Sequence, residues 1–341
     1  MGEQGEDGVG VPTFFIGRKK VDPRCLFDLV AQLRRWKPDL IVLSGPKSMV
    51  LGGVAARILD VPVSAHLNNT LPVPELMRRA QRRVLAGSTA IAVSKAVRAW
   101  ASTYYGLPPE RLEVLHPGFD LTAFPAAAET GQMVRSRLGI PPDAPVIALI
   151  GRLVVAQKGQ NLMLQAMPTL LQRHPEAVLL MAGDGPDRRY LESLVQDLGL
   201  DRAVRMLGHR EDVAEILAAA DATVVPSTCE EGFGLMVVEA WAAGVPVVAF
   251  GGGGLGELVR HHETGLLVTK GDVTGLASAT SALLGDPDEA RRVARAGQKE
   301  VARFSVDHHV TGLADFYARI VSDFRRAKAL RLVPDHRPLG S

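Results

Sequence analysis

The stretch CEEGFGLMVVEAWAAGVPVVAFGGGGLGELV (residues 229–259) carries two glutamates, Glu231 and Glu239, eight positions apart. Glu239 is the one charged residue between Gly232 and Phe250. A carboxylate in apolar surroundings is costly unless a hydrogen-bond donor or a cation pairs with it. The neighbours of Glu239 therefore predict a side chain that faces a cleft and accepts hydrogen bonds from a ligand. A solvated helix face is the alternative interpretation.

The spacing of the two glutamates argues against a glycoside hydrolase. Eight residues at a helical rise of about 1.5 Å per residue place the two carboxylates roughly 12 Å apart. The carboxylate pair of a glycosidase is about 5–9.5 Å apart. Glu231 and Glu239 could instead hold the two ends of one extended ligand.

The residues around these glutamates favour a ligand that contains phosphate. Gly232 and Gly234 allow the backbone to approach a ligand closely, and the N–H groups at a helix start attract anions. Upstream, GRLVVAQKG places Arg152 just after a strand and Lys158 just before a helix. These two cations and two helix starts, near Gly234 and Leu255, could neutralise a diphosphate leaving group without a metal. Ordinary surface charge is the alternative for both cations.

Other chemistries have less support in the sequence. The glycines of residues 251–256 match the dinucleotide fingerprint, with Asp272 downstream, and would suit an NAD-dependent dehydrogenase. A run of four consecutive glycines matches this pattern easily by chance, however, and the helix that follows is short. No Walker A motif is present, and the Asp-Pro-Asp at 286–288 is better explained as a helix cap than as a metal site. We therefore predict no metal and no cofactor.

Composition limits the class of protein. The 341 residues are 47% apolar and 22% charged with a net charge of +2, which is typical of a globular protein of two domains that does not bind nucleic acid. The two cysteines match no metal spacing and suit a reducing compartment. The first ten residues do not resemble a signal peptide, and no apolar run reaches the roughly 18–20 residues of a membrane span. We expect a cytoplasmic protein.

Short β-rich runs alternate with amphipathic helical runs, which predicts βαβ units and parallel sheets. In the first half we expect strands at 39–45, 61–65, 90–94 and 112–118. After a connection at 121–145, the same alternation restarts. We predict an α/β protein with two Rossmann-like domains, 1–143 and 144–327, followed by a basic tail at 328–341. The ligand cleft should lie between the two sheets.

Several motifs resemble the retaining glycosyltransferase family four, which has the GT-B fold. They are GRLVVAQKG, AGDGP, LGHREDV and EEGFGLMVVEAWAAGVPVVAFGGGGLGELVRHHETGLLV, in which Glu231-x7-Glu239 is similar to the glutamate motif of that family. The resemblance covers residues 39–325. It implies that a sugar is transferred from a nucleotide-diphosphate sugar, a UDP- or GDP-sugar, to an unidentified acceptor with retention of anomeric configuration.

The resemblance also implies roles for single residues. Arg152 and Lys158 would hold the diphosphate, and Glu239 would hold the ribose hydroxyls. The segment after Leu207 and Gly208 would flank the base.

The donor sugar would be held by Glu231 together with Gly232, Phe233 and Gly234. His66, at the end of a strand in VPVSAHLNN, matches a histidine that the family places near the donor sugar, although a structural role is also open. On this basis we predict four catalytic residues: His66, Glu231, Arg152 and Lys158.

The start of the chain departs from this resemblance. Family members begin with a strand, a glycine-rich loop and a helix, whereas the first strand-like run here, VPTFFIG (residues 11–17), resembles their third strand. Since the first strand is central in a Rossmann sheet, we expect a shortened N-terminal domain whose sheet has a gap. A non-catalytic nucleotide-sugar-binding protein is therefore the main alternative to an enzyme. A GT-B epimerase or phosphorylase is another.

The helical run ELMRRAQRRVL places four arginines on one side of a helix: Arg78, Arg79, Arg82 and Arg83. A solvated basic face is one interpretation of this pattern. The other is peripheral contact with anionic lipid at the inner face of a membrane.

Overall fold

The structure of the protein is a computed structural model that describes residues 4–6, 12–14, 24–122, 124 and 128–331. The strands in this part of the chain are β1 (Gln4–Glu6), β2 (Pro12–Phe14), β3 (Ile41–Ser44), β4 (Val63–Leu67), β5 (Thr89–Ala92), β6 (Leu112–Val114), β7 (Val146–Ile150), β8 (Val178–Ala182), β9 (Val204–Gly208), β10 (Ala222–Val225), β11 (Val247–Phe250) and β12 (Leu266–Val268).

The helices of the same part of the chain are α1 (Arg24–Trp36), α2 (Pro46–Leu59), α3 (Glu75–Leu85), α4 (Lys95–Tyr105), α5 (Ala128–Arg137), α6 (Val155–Lys158), α7 (Gln160–Arg173), α8 (Arg188–Asp197), α9 (Val213–Ala218), α10 (Leu235–Ala242), α11 (Gly253–Leu258), α12 (Val273–Gly285), α13 (Pro287–Glu300) and α14 (Val306–Arg331). None of these helices is both long enough and apolar enough to cross a bilayer.

The first sheet is parallel and has the order β3-β4-β5-β6. Each strand pairs with the next one along the chain, so the predicted gap is wrong for the described residues. The prediction that VPTFFIG supplies a strand of this sheet is also wrong in its described part, because β2 pairs antiparallel with β1 instead. Residues 15–17 of that run lie outside the described residues.

The second sheet has the order β12-β11-β10-β7-β8-β9, and all its strands are parallel. The chain moves outward from β7 to β9, returns to pair β10 with β7, and moves outward again to β12. This is the doubly wound order, and it reverses direction between β7 and β10. The two parallel sheets confirm the predicted α/β fold class with two Rossmann-like domains.

Helices cover both faces of the second sheet, and its inner strands are accordingly buried, with Thr223 of β10 as a buried polar residue. All five residues of β8 are buried, as are all four of β10 and of β11. Trp241 on α10 is fully buried, and its indole N–H donates to the backbone oxygen of Thr264 at 2.8 Å. Gly297 makes room for this ring, because a Cβ there would lie 2.2 Å from the indole. A continuous apolar run that is buried on both faces is typical of strands in parallel sheets.

The last helix, α14, crosses from the second half of the chain to the first sheet. One hydrogen bond and three ion pairs join them: Tyr317–His66 at 2.8 Å, Arg319–Glu113 at 2.7 Å, Arg325–Asp39 at 2.7 Å and Lys328–Asp60 at 2.5 Å. The helix continues to Arg331, inside the range predicted as a basic tail. The rest of that range, 332–341, lies outside the described residues.

Candidate functional site

The candidate site lies where the second sheet reverses direction. Gly151 and Arg152 follow β7, and Ser227 and Glu231 follow β10, which is paired with β7 in the sheet. Open parallel sheets bind their ligands outside the carboxyl ends of the strands at this switch point. The topology therefore brings Arg152 and Glu231 to the same end of the sheet, as the cleft prediction requires.

The loop after β10 is held against α6 by backbone contacts. The carbonyl of Gln157 accepts hydrogen bonds from the N–H groups of Thr228 and Cys229, at 3.0 and 3.2 Å. Gly159 has a φ of +63°, and a Cβ at this position would lie 2.0 Å from the carbonyl oxygen of Pro226. The chain can make this turn only with glycine, and the turn places Lys158 next to the loop that carries Glu231.

Lys158 and Glu231 form an ion pair in this loop. The ammonium group lies 2.5 Å from Oε1 of Glu231, and the hydroxyl of Ser227 donates to the same oxygen at 2.6 Å. The Glu231 side chain is 16% exposed and that of Lys158 is 34% exposed, so water screens the pair only partly. Both residues were predicted from the sequence, but their contact and the part played by Ser227 were not.

The glycine turn after Glu231 contacts the first domain. A Cβ on Gly232 would lie 2.0 Å from the backbone oxygen of Asn68, so the two backbones touch here. Gly234 has a φ of +116° and precedes α10, which begins at Leu235. Glu231 therefore stands before the helix and not within it, and the helical rise does not define its distance from Glu239.

Phe233 is buried, and its side chain belongs to an aromatic cluster. Its ring centroid lies 5.4 to 5.7 Å from those of His116, Phe119 and Phe304. The side chain packs between the two halves of the chain. Its backbone is the part that remains for any contact with a ligand.

The second glycine-rich turn packs against the first. The N–H of Gly254 donates to the carbonyl of Glu231 at 2.8 Å, and the neighbouring Glu230 pairs with Lys270 at 2.5 Å. Helix α11 begins at Gly253, two residues before the predicted start. The two turns thus form one compact unit at the carboxyl end of the sheet.

Glu239 lies on α10 beside buried residues on both sides, Val238 and Ala240. Its side chain is half-buried, and burial raises the pKa of the carboxyl group from its ordinary value of 4.5 to about 7. No hydrogen-bond donor or cation among the described residues pairs with it. A carboxylate that loses hydration without gaining a protein partner is costly, and that a ligand pairs with Glu239 stays a prediction.

Arg152 is exposed, and its side chain has no hydrogen bond or ion pair within the described part of the chain. Its backbone is fixed, since its carbonyl accepts a hydrogen bond from Gln160 at 2.8 Å. Gly183 brings the neighbouring turn against this loop, because a Cβ there would lie 2.0 Å from the carbonyl oxygen of Gly151. The guanidinium of Arg152 is thus available to an anion.

His66 occupies the carboxyl end of β4 and is half-buried. Its Nε2 lies 2.8 Å from the Tyr317 hydroxyl. Burial, and then the neighbouring His309, lower the pKa of His66. The segment that follows reaches the second domain, where the Thr70 hydroxyl donates to the carbonyl of Glu230 at 3.0 Å. No pattern in the sequence relates His66 to Tyr317.

The four arginines of α3 differ in their contacts. Arg78 pairs with Glu75 and donates to the carbonyl of Tyr104 at 2.9 Å, and Arg79 also pairs with Glu75. Arg82 and Arg83 are exposed and have no polar partner among the residues that the structure describes. Two of the four cations are therefore available to an outside partner.

A groove of about 900 Å³ lies between α2, α3 and α14. It is lined by residues that precede the strands of the first sheet, such as Val61 before β4 and Ser88 before β5. This is the amino end of the sheet, and ligands of such sheets bind at the carboxyl end. The groove is therefore separate from the candidate site.

The structure assigns Asp286 to helix capping. Its carboxylate accepts the N–H groups of Asp288 and Glu289 at 3.1 and 3.0 Å at the start of α13. Within residues 24–122 and 128–331, no group of three or more His, Cys, Asp or Glu side chains is placed to hold a metal ion.

Two Rossmann-like domains of this kind define the GT-B class. The family model described as "Glycosyl transferases group 1" matches residues 132–300, and the model described as "Glycosyltransferase Family 4" matches residues 2–123. Among curated proteins, a D-inositol 3-phosphate glycosyltransferase of Xylanimonas cellulosilytica is 33% identical over 79% of this chain and 69% of its own. A 2-deoxystreptamine glucosyltransferase of Streptomyces kanamyceticus is 30% identical over 88% of this chain and 82% of its own.

The chain belongs to the family-four type of glycosyltransferases that these models and relatives define. It spans 58 to 62% of the length of three further relatives, the D-inositol 3-phosphate glycosyltransferases of Corynebacterium kroppenstedtii, Corynebacterium urealyticum and Nocardia farcinica. Among solved structures, Anabaena Alr3699/HepE in complex with UDP is 27% identical with a TM-score of 0.81, over 87% of this chain and 82% of that chain. Sucrose-phosphate synthase of Thermosynechococcus elongatus is 25% identical with a TM-score of 0.81, over 94% and 86%.

Proposed function

We propose that the protein transfers a sugar from a nucleotide-diphosphate sugar to an acceptor, with retention of anomeric configuration. The observation that carries this proposal is the half-buried carboxylate of Glu239, which has no partner among the described residues. A ligand that offers hydroxyl groups would satisfy it, and the ribose of a nucleotide offers two. Glu239 lies in the domain whose switch point also carries Arg152, Lys158 and Glu231.

A UDP-sugar is the donor that we favour, with a GDP-sugar as the second choice. The solved structures of Anabaena Alr3699/HepE contain UDP, and in one case UDP-glucose. In this chain Arg152 and Lys158 would hold the diphosphate, and Glu239 would accept hydrogen bonds from the ribose hydroxyls. Charge-assisted hydrogen bonds of this kind are about twice as strong as neutral ones.

The donor sugar would bind at the turn of residues 232–234. Lys158 and Ser227 both contact Oε1 of Glu231, which leaves Oε2 to accept hydrogen bonds from sugar hydroxyls. The backbone of the turn would complete this subsite, and His66 would approach it from the first domain. The contact between Gly232 and Asn68 supports this arrangement, because it brings the segment after His66 to the turn.

The reaction would break the bond between the sugar C1 and the diphosphate oxygen and form a bond between C1 and an acceptor oxygen. The proton of the acceptor hydroxyl would pass to the departing phosphate. Arg152 and Lys158 would stabilise the charge that develops on the leaving group, and a preorganised cation is worth more in a cleft than in water. We assign no covalent nucleophile and no metal.

We also propose that α3 contacts anionic lipid at the inner face of a membrane, through Arg82 and Arg83 above all. Each basic residue near such a surface contributes on the order of 1 kcal/mol. Co-sedimentation with vesicles that contain about one third phosphatidylserine would test this. The double variant Arg82→Gln, Arg83→Gln should lose binding, and equal binding of the variant and the unchanged protein would favour a solvated basic face.

The proposed function is tested first by thermal unfolding with UDP, GDP, ADP and NAD. A ligand at about 100 times its Kd stabilises the protein by about 2.7 kcal/mol. We expect UDP or GDP to raise the melting temperature of the unchanged protein, and a smaller rise in Glu239→Gln. Stabilisation by NAD alone would contradict the proposal.

Turnover is then tested with UDP-glucose in the presence of EDTA, using inositol 3-phosphate and 2-deoxystreptamine as acceptors because the relatives carry those names. Transfer to either acceptor, with the product of the same anomeric configuration as the donor, would support the proposal in full. Binding of UDP without transfer to any acceptor would favour the non-catalytic binding protein. An inverted product would contradict retention.

A further inference from the structure

Tyr317 and His66 make a side-chain contact that joins the two halves of the chain. They are 251 positions apart, and the Tyr317 hydroxyl lies 2.8 Å from Nε2 of His66. The two rings are nearly parallel, with an interplanar angle of 18° and centroids 6.0 Å apart. Tyr317 is on α14 and His66 is the penultimate residue of β4, so the last helix supports a residue of the first domain.

The segment that directly follows His66 contacts the candidate sugar subsite. Asn68, two residues later, touches Gly232 through its backbone oxygen, and Thr70 hydrogen-bonds to the carbonyl of Glu230. Any side chain at the end of β4 therefore stands beside the crossing between the domains. This is where the proposed function requires a group from the first domain.

The protonation of His66 follows from its surroundings. Burial and the neighbouring His309 lower its pKa, and Tyr317 is the other titratable group in contact with the ring. The lowered pKa favours the neutral ring, which carries a single N–H on either Nδ1 or Nε2. No polar group of the described residues contacts Nδ1.

The direction of the hydrogen bond decides which nitrogen carries the proton. If Nε2–H donated to the Tyr317 oxygen, the tyrosine hydroxyl hydrogen and the lone pair of Nδ1 would both lack a partner among the described residues. If the hydroxyl donates to Nε2, the ring proton lies on Nδ1, and Nδ1–H is the one group left without a partner among those residues. The second arrangement satisfies more of the half-buried polar groups.

We infer that Tyr317 is a positioning residue that donates to Nε2, holds His66 as the Nδ1–H tautomer and leaves Nδ1–H to bind a hydroxyl oxygen of the donor sugar. This inference rests on the proposed function for the identity of the ligand. A neutral ring suits that place, because a cationic imidazolium would repel the positive charge that develops on the sugar in the transition state.

The contrasting explanation is that Tyr317 only docks α14 onto the first sheet. Arg319 is a matched control, since it lies two residues away on the same helix and pairs with Glu113 of the first domain at 2.7 Å. Arg319→Gln removes a docking contact without touching His66. Tyr317→Phe removes one hydroxyl and keeps the ring.

The test is nitrogen-15 NMR of labelled histidine in the ligand-free protein, combined with steady-state kinetics. We expect His66 to be the Nδ1–H tautomer in the unchanged protein and in Arg319→Gln, and to shift toward the Nε2–H tautomer in Tyr317→Phe. We expect kcat of Tyr317→Phe to fall about tenfold with the Kd for UDP unchanged, since one hydrogen bond is misdirected. Arg319→Gln should keep its kcat.

A second pair of variants does not depend on the folding of Tyr317→Phe. In His66→Asn the amide N–H₂ lies near the position of Nδ1, whereas in His66→Gln it lies near that of Nε2. We expect His66→Asn to retain more activity, and the reverse order would overturn the inference.

The outcomes separate this inference from the proposed function. An Nε2–H tautomer in the unchanged protein overturns the inference whether or not the chain transfers sugar, as does an equal loss of kcat in Tyr317→Phe and Arg319→Gln. Failure to bind any nucleoside diphosphate overturns the proposed function and the sugar-facing role of Nδ1 with it. The tautomer in that case still decides whether Tyr317 holds the ring.

Discussion

The carboxylate of Glu257 in the second domain accepts a hydrogen bond from the backbone N–H of Lys95 in the first, at 3.0 Å. The N–H of Ala96 donates to its other oxygen. Both N–H groups belong to the first turn of α4, where no intrahelical acceptor exists for them. Glu257 therefore caps a helix of the opposite domain, and it does so from α11, the helix that follows the second glycine-rich turn.

Removing this carboxylate should destabilise the protein. In Glu257→Ala the two N–H groups lose their acceptor, and we expect the free energy of unfolding to fall by about 1 kcal/mol, the usual effect of deleting a helix cap. Urea unfolding followed by circular dichroism measures this change. Glu263→Ala is the control, because Glu263 is exposed and pairs with Arg260, three residues away. Equal unfolding of the two variants would show that the cap contributes nothing.

The glycines of the site should differ sharply in their tolerance of a methyl group. Gly232→Ala places a Cβ 2.0 Å from the carbonyl oxygen of Asn68, so the two domains must move apart. Gly256 lies inside α11, and apart from its chain neighbours and the backbone of that helix no atom of the described residues lies within 4 Å of its ideal Cβ.

We expect Gly232→Ala to lower the free energy of unfolding by about 1–3 kcal/mol and to reduce transfer, as overpacking does elsewhere. Gly256→Ala should keep transfer and gain up to about 1 kcal/mol, because alanine favours a helix. Thermal unfolding and a transfer assay of both variants test the contrast. A Gly232→Ala protein as active as Gly256→Ala would show that the contact with Asn68 is not needed.

Because Lys158 and Glu231 form an ion pair, we expect variants of the two residues to change the Kd for UDP and kcat in different ways. In the proposed function both residues act on the donor, but without a ligand they bind each other. Glu231→Gln removes the anion that holds Lys158, so the ammonium group is free to bind a diphosphate. We therefore expect the Kd for UDP to stay equal or decrease, while kcat falls because the donor sugar loses a charged acceptor.

Lys158→Met should have the opposite effect on the Kd for UDP. The loss of one charge-assisted hydrogen bond should raise the Kd for UDP about 10–100-fold. Calorimetric titration of both variants with UDP, together with kcat for UDP-glucose, measures the split. If the two variants weakened UDP binding to the same degree, the pair would be a structural unit and not two separate ligand contacts.

Local patterns in the sequence were sufficient to predict most elements of the fold. The strands of both sheets were recognisable because they are short apolar runs between amphipathic helices, and Glu239 was recognisable because it interrupts such a run. The predicted gap in the first sheet was wrong for the described residues. A strand pattern carries no information about its partner, so Pro12–Phe14 could not be distinguished from a strand of the parallel sheet.

Contacts between distant parts of the chain were not predictable. Phe233 was assigned to a ligand-binding turn through the family resemblance, yet its side chain packs against Phe304 and Phe119, which no local pattern connects to it. The same holds for Tyr317 with His66. Such pairs depend on how the last helix crosses back to the first domain, and that crossing is set by tertiary packing.

Glu239 should lower the stability of the protein at neutral pH. Its carboxyl group has a pKa of about 7 in the folded protein and an ordinary value of 4.5 in the unfolded chain. Between these two values the folded state keeps a proton that the unfolded chain has released, so the free energy of unfolding falls as the pH rises. Below about pH 4.5 both states are protonated, and above about pH 7 both are ionised and the loss is complete.

Glu239→Gln should therefore be more stable than the unchanged protein at pH 8 and equally stable at pH 4.5. The difference at pH 8 should be about 2–3 kcal/mol, at about 1.4 kcal/mol per unit of pKa shift and with an allowance for partial exposure. Urea unfolding of both proteins at pH 4.5, 6 and 8 measures it, and the comparison cancels the titration of all other groups.

The same variant should bind UDP about 10–100-fold more weakly at pH 8, because an ionised carboxylate accepts hydroxyl groups more strongly than an amide does. At pH 6 the carboxyl of the unchanged protein is mostly protonated, so the advantage over Glu239→Gln should shrink. Stabilisation together with weaker binding would mean that this carboxylate is kept for the ligand at the expense of the fold. A variant that is less stable at pH 8 would instead show that Glu239 has a partner in the protein.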